Sequence, residues 1–449
     1  MLKDNLLKTA NKIHFIGIGG ISMSALAKLL LSQGKIVSGS DLKRSKITDT
    51  LKSLGVKVNI KHKAKAVDDS DLVVFTGAVD SANIEYQRAI ELGIPIIERS
   101  QLLGFIASTY NTVIAIAGAH GKTTTTALLS KVLIDAGMNP TVHLGGEVDF
   151  LDGNVRVGGS NYFITEACEY RRSFLQLKPN YSIILNVEPE HLDTYGNYEN
   201  VKKAFKEFVS NTEKLVVYNK NYIMDTQKEF VTFDIEKPSD IYVKNLRCKE
   251  GKYTFDAYYK DVFLHSFELG CIGVYNVLNA LAVIAISHKL NINMSSVAKS
   301  IKEFNGVRRR FEKLGLYNNA EIILDYAHHP TEISCLIDAV RGYYDGELVV
   351  VFQPHTYSRT ASSFDDFIKV LSRKDIDRVV LLPTYPAREQ PKQGKTSMDI
   401  YKELRKESKS VKYLLTHNVT QFVYKLSLSK TMILFVGAGD IEILARHLF

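Results

Sequence analysis

Short apolar runs recur along the chain, and almost every one breaks on glycine or on a cluster of polar residues. KIHFIGIGG at 12–20 leads into ISMSALAKLLLSQG, whose apolar positions suit a buried helix, and KIVSGSD and DLVVFTGAV read as further strands. Strand-like runs alternating with helical patterns imply βαβ units and a parallel sheet. ERSQLLGFIASTYN reads as a helix that hands over to the strand TVIAIA, which runs into GAHGKTTTT and ALLSKVLIDAG. There Leu128, Leu129, Val132, Leu133 and Ala136 recur at helical spacing, and Gly137 stops the helix.

NYFITEA and YSIILNVEPEH read as two more strands ending in polar residues, and CIGVYNVLNALAVIAISHKL as a helix. Past residue 312, EIILDYAHHP, ELVVVFQPH, RVVLLPTYPA and MILFVGAGD repeat the plan of an apolar run with polar residues at its end. Ligands of open parallel sheets bind at the carboxyl ends of the strands, so three such sheets imply three ligand-facing edges. At 449 residues the chain is too long for one core, since domains run to ~150 residues each. The cysteines (Cys168, Cys248, Cys271, Cys335) form no C-x-x-C pair, which argues for a reducing compartment and against a zinc site or disulfide framework. MLKDNLLKTANKIHF lacks the apolar core of a signal peptide, and no apolar stretch reaches the ~18 residues of a membrane span. The expectation is a cytoplasmic protein without membrane insertion. A net charge of +8 is not concentrated in one tract; it suits an anionic small molecule better than nucleic acid.

The strongest chemical signal is GAHGKTTTT at 118–126. It is a phosphate loop shortened on one side: Ile116 stands where the longer G-x-x-x-x-G-K-[ST] pattern wants glycine. The backbone of Gly118, Ala119, His120 and Gly121 would wrap phosphate oxygens, and Lys122 would neutralise them. Thr123 or Thr124 would ligate Mg²⁺. The expected cofactor is ATP with Mg²⁺ or Mn²⁺. GIGGIS at 17–22 is weaker, because Ser22 replaces the third glycine of the dinucleotide pattern. Three readings stay open for it: an oxidoreductase site, a second nucleotide diphosphate with Asp41 near the ribose, or a tight turn without ligand. Glu166 and Glu169 in TEACEY and His191 in EPEHLDTY end strands beside the phosphate loop, where they could hold a divalent cation. Asn276 and Asn279, three apart on one helical face, could read the edge of adenine. DYAHHP and QPHTYSR bring Asp325, Tyr326, His328, His355 and Arg359 to strand ends and point to an active site.

GIGGISMSALA, GAHGKTTTT, EPEHLDTY, DYAHHP and QPHTYSRT together resemble the Mur ligases, the ATP-dependent amino-acid-adding enzymes of peptidoglycan synthesis, over essentially the whole chain and in the right order. That family's ATP motif, G-x-x-G-K-T-[ST], is the short loop. The resemblance implies an α/β fold of three domains. Residues 1–108 would be a UDP-substrate-binding Rossmann-like domain, and 109–312 a central P-loop ATPase-type parallel sheet. Residues 313–449 would be a C-terminal Rossmann-like domain closing over ATP and amino acid. It further implies that L-alanine is joined to the carboxylate of UDP-N-acetylmuramate through an acyl phosphate. Gly17, Gly19, Gly20, Ile21 and Ser22 would cradle the UDP diphosphate, with Asp41, Thr76 and Gly77 near the uridine. Lys122 would stabilise the transferring phosphoryl group, Thr123 would hold one metal, and Glu166 with His191 a second. Asn276 and Asn279 would contact adenine, and Arg310 and Asp325 the nucleotide. Tyr326, His328, His355 and Arg359 would surround the amino acid. Arg359 would grip its carboxylate, while His328, near its ordinary pKa, would take the amine proton. This chain departs from many members in carrying Tyr170-Arg171-Arg172 where they have acids, and Thr356 where they have a basic residue. The rival activities are a relative adding a preformed peptide or another amino acid, a nucleotide-binding switch protein without ligase activity, and a dinucleotide-dependent oxidoreductase.

Overall fold

The computed structural model describes residues 6–222, 226–236, 238–387, 389–390, 394–406 and 410–449. The apolar runs become strands of three sheets. The first holds β1 (Lys12–Ile16), β2 (Ile36–Asp41), β3 (Lys57–Ile60), β4 (Leu72–Phe75) and β5 (Ile96–Glu98). All are parallel, in the order β3-β2-β1-β4-β5. The central strands β1 and β4 are largely buried on both faces, as a parallel sheet covered by helices on both sides requires. Ile13 and Phe15 of β1 enter one core cluster, while Ile16 packs with Val67, Val73 and Ala89 in another. The order reverses direction beside β1, which opens a crevice at its carboxyl end.

The second sheet is built on β6 (Thr112–Ala117), β7 (Thr141–Val148), β8 (Gly153–Arg156), β9 (Tyr162–Glu166), β10 (Tyr181–Ile184), β11 (Leu215–Asn219) and β12 (Glu229–Phe233). Their order is β12-β11-β10-β6-β9-β7-β8, parallel except for β8. β6 therefore lies between β9 and β10, so the loop that leaves it is flanked by the ends of both. One buried cluster runs through the first two sheets, from Phe15, Leu26 and Leu30 to Ala115, Phe163 and Phe205.

β13 (Ile241–Lys249), β14 (Lys252–Tyr259) and β15 (Val262–Ile272) follow, where the sequence pattern predicts no strands. Most of β13 is exposed or half-buried, so no apolar run betrays it. The predicted helix at 271–290 begins only at Tyr275, because Cys271 and Ile272 finish β15 and Gly273 turns the chain with φ +101°. The chain divides into two compact units. One runs through Val243 and adds Ala257–His265 and Leu278–Ser300; the other comprises Lys244–Asp256, Ser266–Val277 and Ile301–Phe449.

The second unit contains the third sheet: β16 (Glu312–Tyr317), β17 (Ala320–Asp325), β18 (Glu347–Phe352), β19 (Arg378–Leu381), β20 (Val411–Tyr413) and β21 (Thr431–Val436). The order is β16-β17-β21-β18-β19-β20, with β16 an antiparallel edge and the rest parallel. The last strand inserts between β17 and β18. It brings the DYAHHP, QPHTYSR and VGAGD segments to one edge.

Candidate functional site

The shortened loop is shaped by glycine. Gly118 (φ +143°) and Gly121 (φ +83°) take backbone conformations that side chains avoid, and Gly121 caps the helix Lys122–Asp135. A Cβ on Gly121 would fall 2.7 Å from Asn279 Oδ1, and one on Gly118 would fall 3.1 Å from Leu185 Cβ. Asn186, just past β10, fastens the loop from outside. Its Oδ1 accepts from His120 N at 2.9 Å, and its Nδ2 donates to His120 O at 3.1 Å. Thr123 and Thr124 stand half-buried on the first helical turn, where free N–H groups and the helix dipole favour anions. Asn279 thus lies against the loop. Asn276, in the other unit, is buried and donates to Ile272 O at 2.8 Å.

Lys122 Nζ donates to Gly118 O, to Ala119 O at 3.0 Å, and to Glu169 Oε2 at 3.1 Å. Burial works against the ammonium, but the charge of Glu169 overrides it and holds the lysine pKa above its ordinary value. His191 Nε2 lies 3.6 Å from Glu169 Oε1 and 3.8 Å from Glu190 Oε2. One ligand atom from each of Glu169, Glu190 and His191 lies within 4.8 Å of the others. Two carboxylates and an imidazole suit a divalent cation; the imidazole suits Mn²⁺ better than Mg²⁺.

Glu166, expected beside His191, is not in that cluster. It ends β9 and accepts from Gly145 N of the neighbouring β7. The glycine at 145 leaves room for this contact, since a Cβ there would sit 2.9 Å from Glu166 Oε2. Glu169, three residues on, turns instead to the loop lysine.

At the first sheet, Gly17, Gly19, Gly20, Ile21 and Ser22 form the turn from β1 into the helix Ile21–Ser32. Asp41 at the end of β2 accepts from Gly19 N at 2.8 Å, so one of its oxygens already holds the turn. Thr76 and Gly77 follow β4, and Arg171 NH1 donates to Gly77 O at 2.7 Å. The Tyr170-Arg171-Arg172 departure thus contacts the segment that follows β4 in the first sheet, with Arg171 (φ +50°) and Arg172 (φ +57°) both in left-handed backbone. Arg99 NH1 donates to Ser22 Oγ at 3.1 Å. Neither Arg99 nor Asn186 stands out in the sequence; both would surface only by asking which polar residues sit at the carboxyl ends of parallel strands or one turn beyond.

In the second unit, Asp325 accepts from Phe311 N and Ala327 N, both at 2.7 Å, and burial pushes its pKa up against the opposing Arg310. Arg310 NH1 is 3.4 Å from Glu332 Oε1, and its guanidinium carbon lies 5.1 Å from the Tyr326 ring centroid. His328 Nδ1 is 3.0 Å from Tyr326 O. The rings of His328 and His355 are 5.9 Å apart, and His355 is stacked on Tyr385. The expectation that His328 titrates near its ordinary value does not hold. Burial pushes it down to about 3, with Arg359 adding to the effect against Glu332. His355 is likewise pushed down to about 4 by burial and Arg359. Both rings are neutral hydrogen-bonding groups at pH 7. Arg359 lies on the helix Tyr357–Ser362 behind Thr356 (φ +69°). Its guanidinium has no hydrogen-bond or ion-pair partner among the described residues, whereas Arg309 pairs with Glu442 at 3.3 Å.

Three family models match the chain in order. They are described as Mur ligase family, catalytic domain (residues 12–111), Mur ligase middle domain (116–287) and Mur ligase, glutamate ligase domain (309–439). A UDP-N-acetylmuramate–L-alanine ligase of Caldanaerobacter subterraneus subsp. tengcongensis is 41% identical over 97% of this chain and 96% of its own. One from Clostridium tetani is 40% identical over 97% of each chain. The crystal structure of UDP-N-acetylmuramate-alanine ligase from Thermotoga maritima is similar with a TM-score of 0.84 at 32% identity, covering 97% of this chain and 98% of that one. A murein peptide ligase from Psychrobacter arcticus shares the fold at 21% identity, with a TM-score of 0.73 over 97% of this chain and 98% of that one. Among the described residues, no helix is long and apolar enough to cross a membrane.

Proposed function

This chain belongs to the Mur ligase family, and we propose that it is the ATP-dependent ligase that joins L-alanine to the carboxylate of UDP-N-acetylmuramate in peptidoglycan synthesis. Full-length similarity to ligases of that name supports the substrate pair. The observation that carries the chemistry is the convergence of Lys122, Glu169, Glu190 and His191 where β6, β9 and β10 end. We assign the reaction to the cytoplasm, where ATP and UDP-sugars are available. Residues 1–108, 109–312 and 313–449 are assigned in turn to the UDP-substrate, to ATP and to the amino acid.

The γ-phosphoryl of ATP passes to the muramyl carboxylate, giving an acyl phosphate and ADP. The amine of L-alanine attacks the acyl carbon, the C–N bond forms, and phosphate leaves as the C–O bond breaks, taking up the proton that the nitrogen loses. No enzyme nucleophile is required; the protein supplies position and charge. The loop from Gly118 to Gly121 offers backbone N–H groups to the polyphosphate. Lys122, kept charged by Glu169, neutralises the oxygens of the phosphoryl group in transfer. Asn279, which lies against the same loop, is assigned to adenine. A divalent cation, when bound, would neutralise charge shared by phosphoryl and acyl oxygens; Glu169, Glu190, His191 and Thr123 are the side chains to hold it, with Glu166 behind Gly145. Arg359 takes the alanine carboxylate. His328, neutral with Nδ1 directed at Tyr326 O, accepts a hydrogen bond from the amine through Nε2 and orients it. With a conjugate-acid pKa of about 3 it is too weak a base to carry the proton away.

Phosphate release from ATP, measured with UDP-N-acetylmuramate and a panel of single amino acids and short peptides, tests this reading. Release that requires both the UDP-sugar and L-alanine is the expected result. Release driven best by a tripeptide would assign the chain to the peptide-adding relatives instead, and release needing neither would leave a nucleotide switch.

A further inference from the structure

Three consecutive residues of β7 touch both nucleotide-bearing ends of the first unit. His143 Nε2 lies 2.9 Å from Ser22 Oγ, in the turn after β1, and its Nδ1 lies 3.1 Å from Thr165 Oγ1 on β9. Leu144 O accepts from Asn154 Nδ2 at 3.3 Å, and the same nitrogen donates to Ile21 O at 2.9 Å. Gly145 N donates to the Glu166 carboxylate. His143, Asn154 and Thr165 are all buried.

Arginine only donates, so Ser22 Oγ accepts from Arg99 and gives its single proton to His143 Nε2. Thr165 Oγ1 donates to Glu166 O at 3.1 Å, so it must accept from His143 Nδ1–H. His143 therefore carries a proton on Nδ1. Burial, with Arg99 adding to it, pushes its pKa down to about 3, which leaves Nε2 unprotonated to accept from Ser22 Oγ. A buried histidine satisfied by two hydroxyls is most often a packing device. Here, however, the two hydroxyls belong to the diphosphate turn and to the residue beside Glu166, and the adjacent pair of contacts repeats the link through Asn154.

We propose that His143 is a positioning residue that couples the turn Gly17–Ser22 to the Glu166 end of the ATP-bearing sheet, with Asn154 as a second staple. Ordering the turn around a diphosphate orders His143, Thr165 and the Glu166 backbone with it. A second ligand then meets an edge that is already ordered, which makes the coupling positive and reciprocal. The inference rests on the reading of Gly17–Ser22 as the UDP-sugar cradle and of residues 118–124 as the ATP loop.

The test is calorimetric titration of a non-hydrolysable ATP analogue with Mg²⁺, without and with saturating UDP-N-acetylmuramate and without L-alanine. In the parent protein, the UDP-sugar should tighten the analogue by about fivefold or more. In His143→Ala that factor should fall towards one, and each ligand alone should bind within about twofold of the parent, since the ring is buried behind Ser22 and Thr165. Asn154→Ala should lower the factor in the same direction and serves where His143→Ala folds poorly. Nitrogen NMR of His143 should show the Nδ1-protonated neutral tautomer at pH 7. Binding of both ligands to the parent without mutual effect, or a full effect retained in folded His143→Ala, overturns the coupling and leaves the functional reading intact. Failure of the parent to bind either ligand overturns both.

Discussion

Lys122 Nζ lies 3.1 Å from Glu169 Oε2, and the other oxygen of the same carboxylate lies 3.6 Å from His191 Nε2. One buried carboxylate is thus shared between the loop ammonium and the imidazole of the candidate metal cluster. A position shared in this way sets both the charge state of the lysine and the donor set offered to a cation.

Glu169→Gln should therefore raise the Mg²⁺ concentration needed for half-maximal turnover and lower kcat. Glu166→Gln, whose carboxylate faces Gly145, should shift the Mg²⁺ requirement less. Metal titrations of both variants separate the two. The opposite ranking would move the metal to Glu166 and leave Glu169 as the partner of Lys122 alone.

The two nucleotides are assigned to different sheets, so their sites should fail separately. A Cβ on Gly19 would fall 2.8 Å from Asp41 Oδ2, and an aspartate there adds a second negative charge at the turn. Gly19→Asp should abolish measurable UDP-sugar binding while the ATP analogue still binds. Lys122→Ala should do the reverse and lower turnover by about two to three orders of magnitude, on the order of 3–4 kcal/mol, in line with other positioned oxyanion contacts. Competition of the two nucleotides for one site in the parent would contradict the assignment.

Much of this was legible because its causes are local. The strands around β1, β6 and β18 are buried on both faces, so they read as continuous apolar runs, and the phosphate loop announces itself by glycine at Gly118 and Gly121. β13 escapes because its exposed residues leave no run to see. The site's finer wiring escapes for a different reason. His120 meets Asn186 across 66 positions, and Ser22 meets His143 across 121. Such contacts are decided by sheet order, which places β9 and β10 on either side of β6 and β7 beside β9. That Glu169 and Glu190, rather than Glu166, face His191 depends on the turn taken after β9, and spacing along the chain carries no trace of it.

Acid should weaken the fold through its buried histidines. His328 is pushed from 6.5 to about 3 in the folded protein. Between those values the unfolded chain binds the extra proton, so stability is intact above pH 6.5 and falls as pH drops towards 3. The slope per histidine is at most about 1.4 kcal/mol per pH unit. Urea midpoints at pH 7 and pH 5 should therefore differ more for the parent than for His328→Asn. An equal loss in both would show that His328 does not titrate in this way.

The amino-acid carboxylate needs a cation that is not already committed. Arg309 pairs with Glu442 and Arg310 with Glu332, whereas the Arg359 guanidinium has no hydrogen-bond or ion-pair partner among the described residues, Asp365 and Asp366 included. It stands near enough to His328 and His355 to lower both pKa values, which places its charge at the edge where DYAHHP and QPHTYSR meet. L-alanine offers almost no side chain, so its carboxylate must supply most of the recognition energy. A planar guanidinium can take both oxygens at once, which an ammonium cannot. Arg359→Lys should therefore raise KM for L-alanine roughly tenfold or more, since losing a bidentate pair costs on the order of 1–3 kcal/mol. The KM values for ATP and UDP-N-acetylmuramate should change by less than about twofold on the same scale. Initial rates with each substrate varied in turn decide it. A variant whose defect appears in KM for ATP would transfer Arg359 to the nucleotide, and the alanine carboxylate would then have to be met by another group at the same edge.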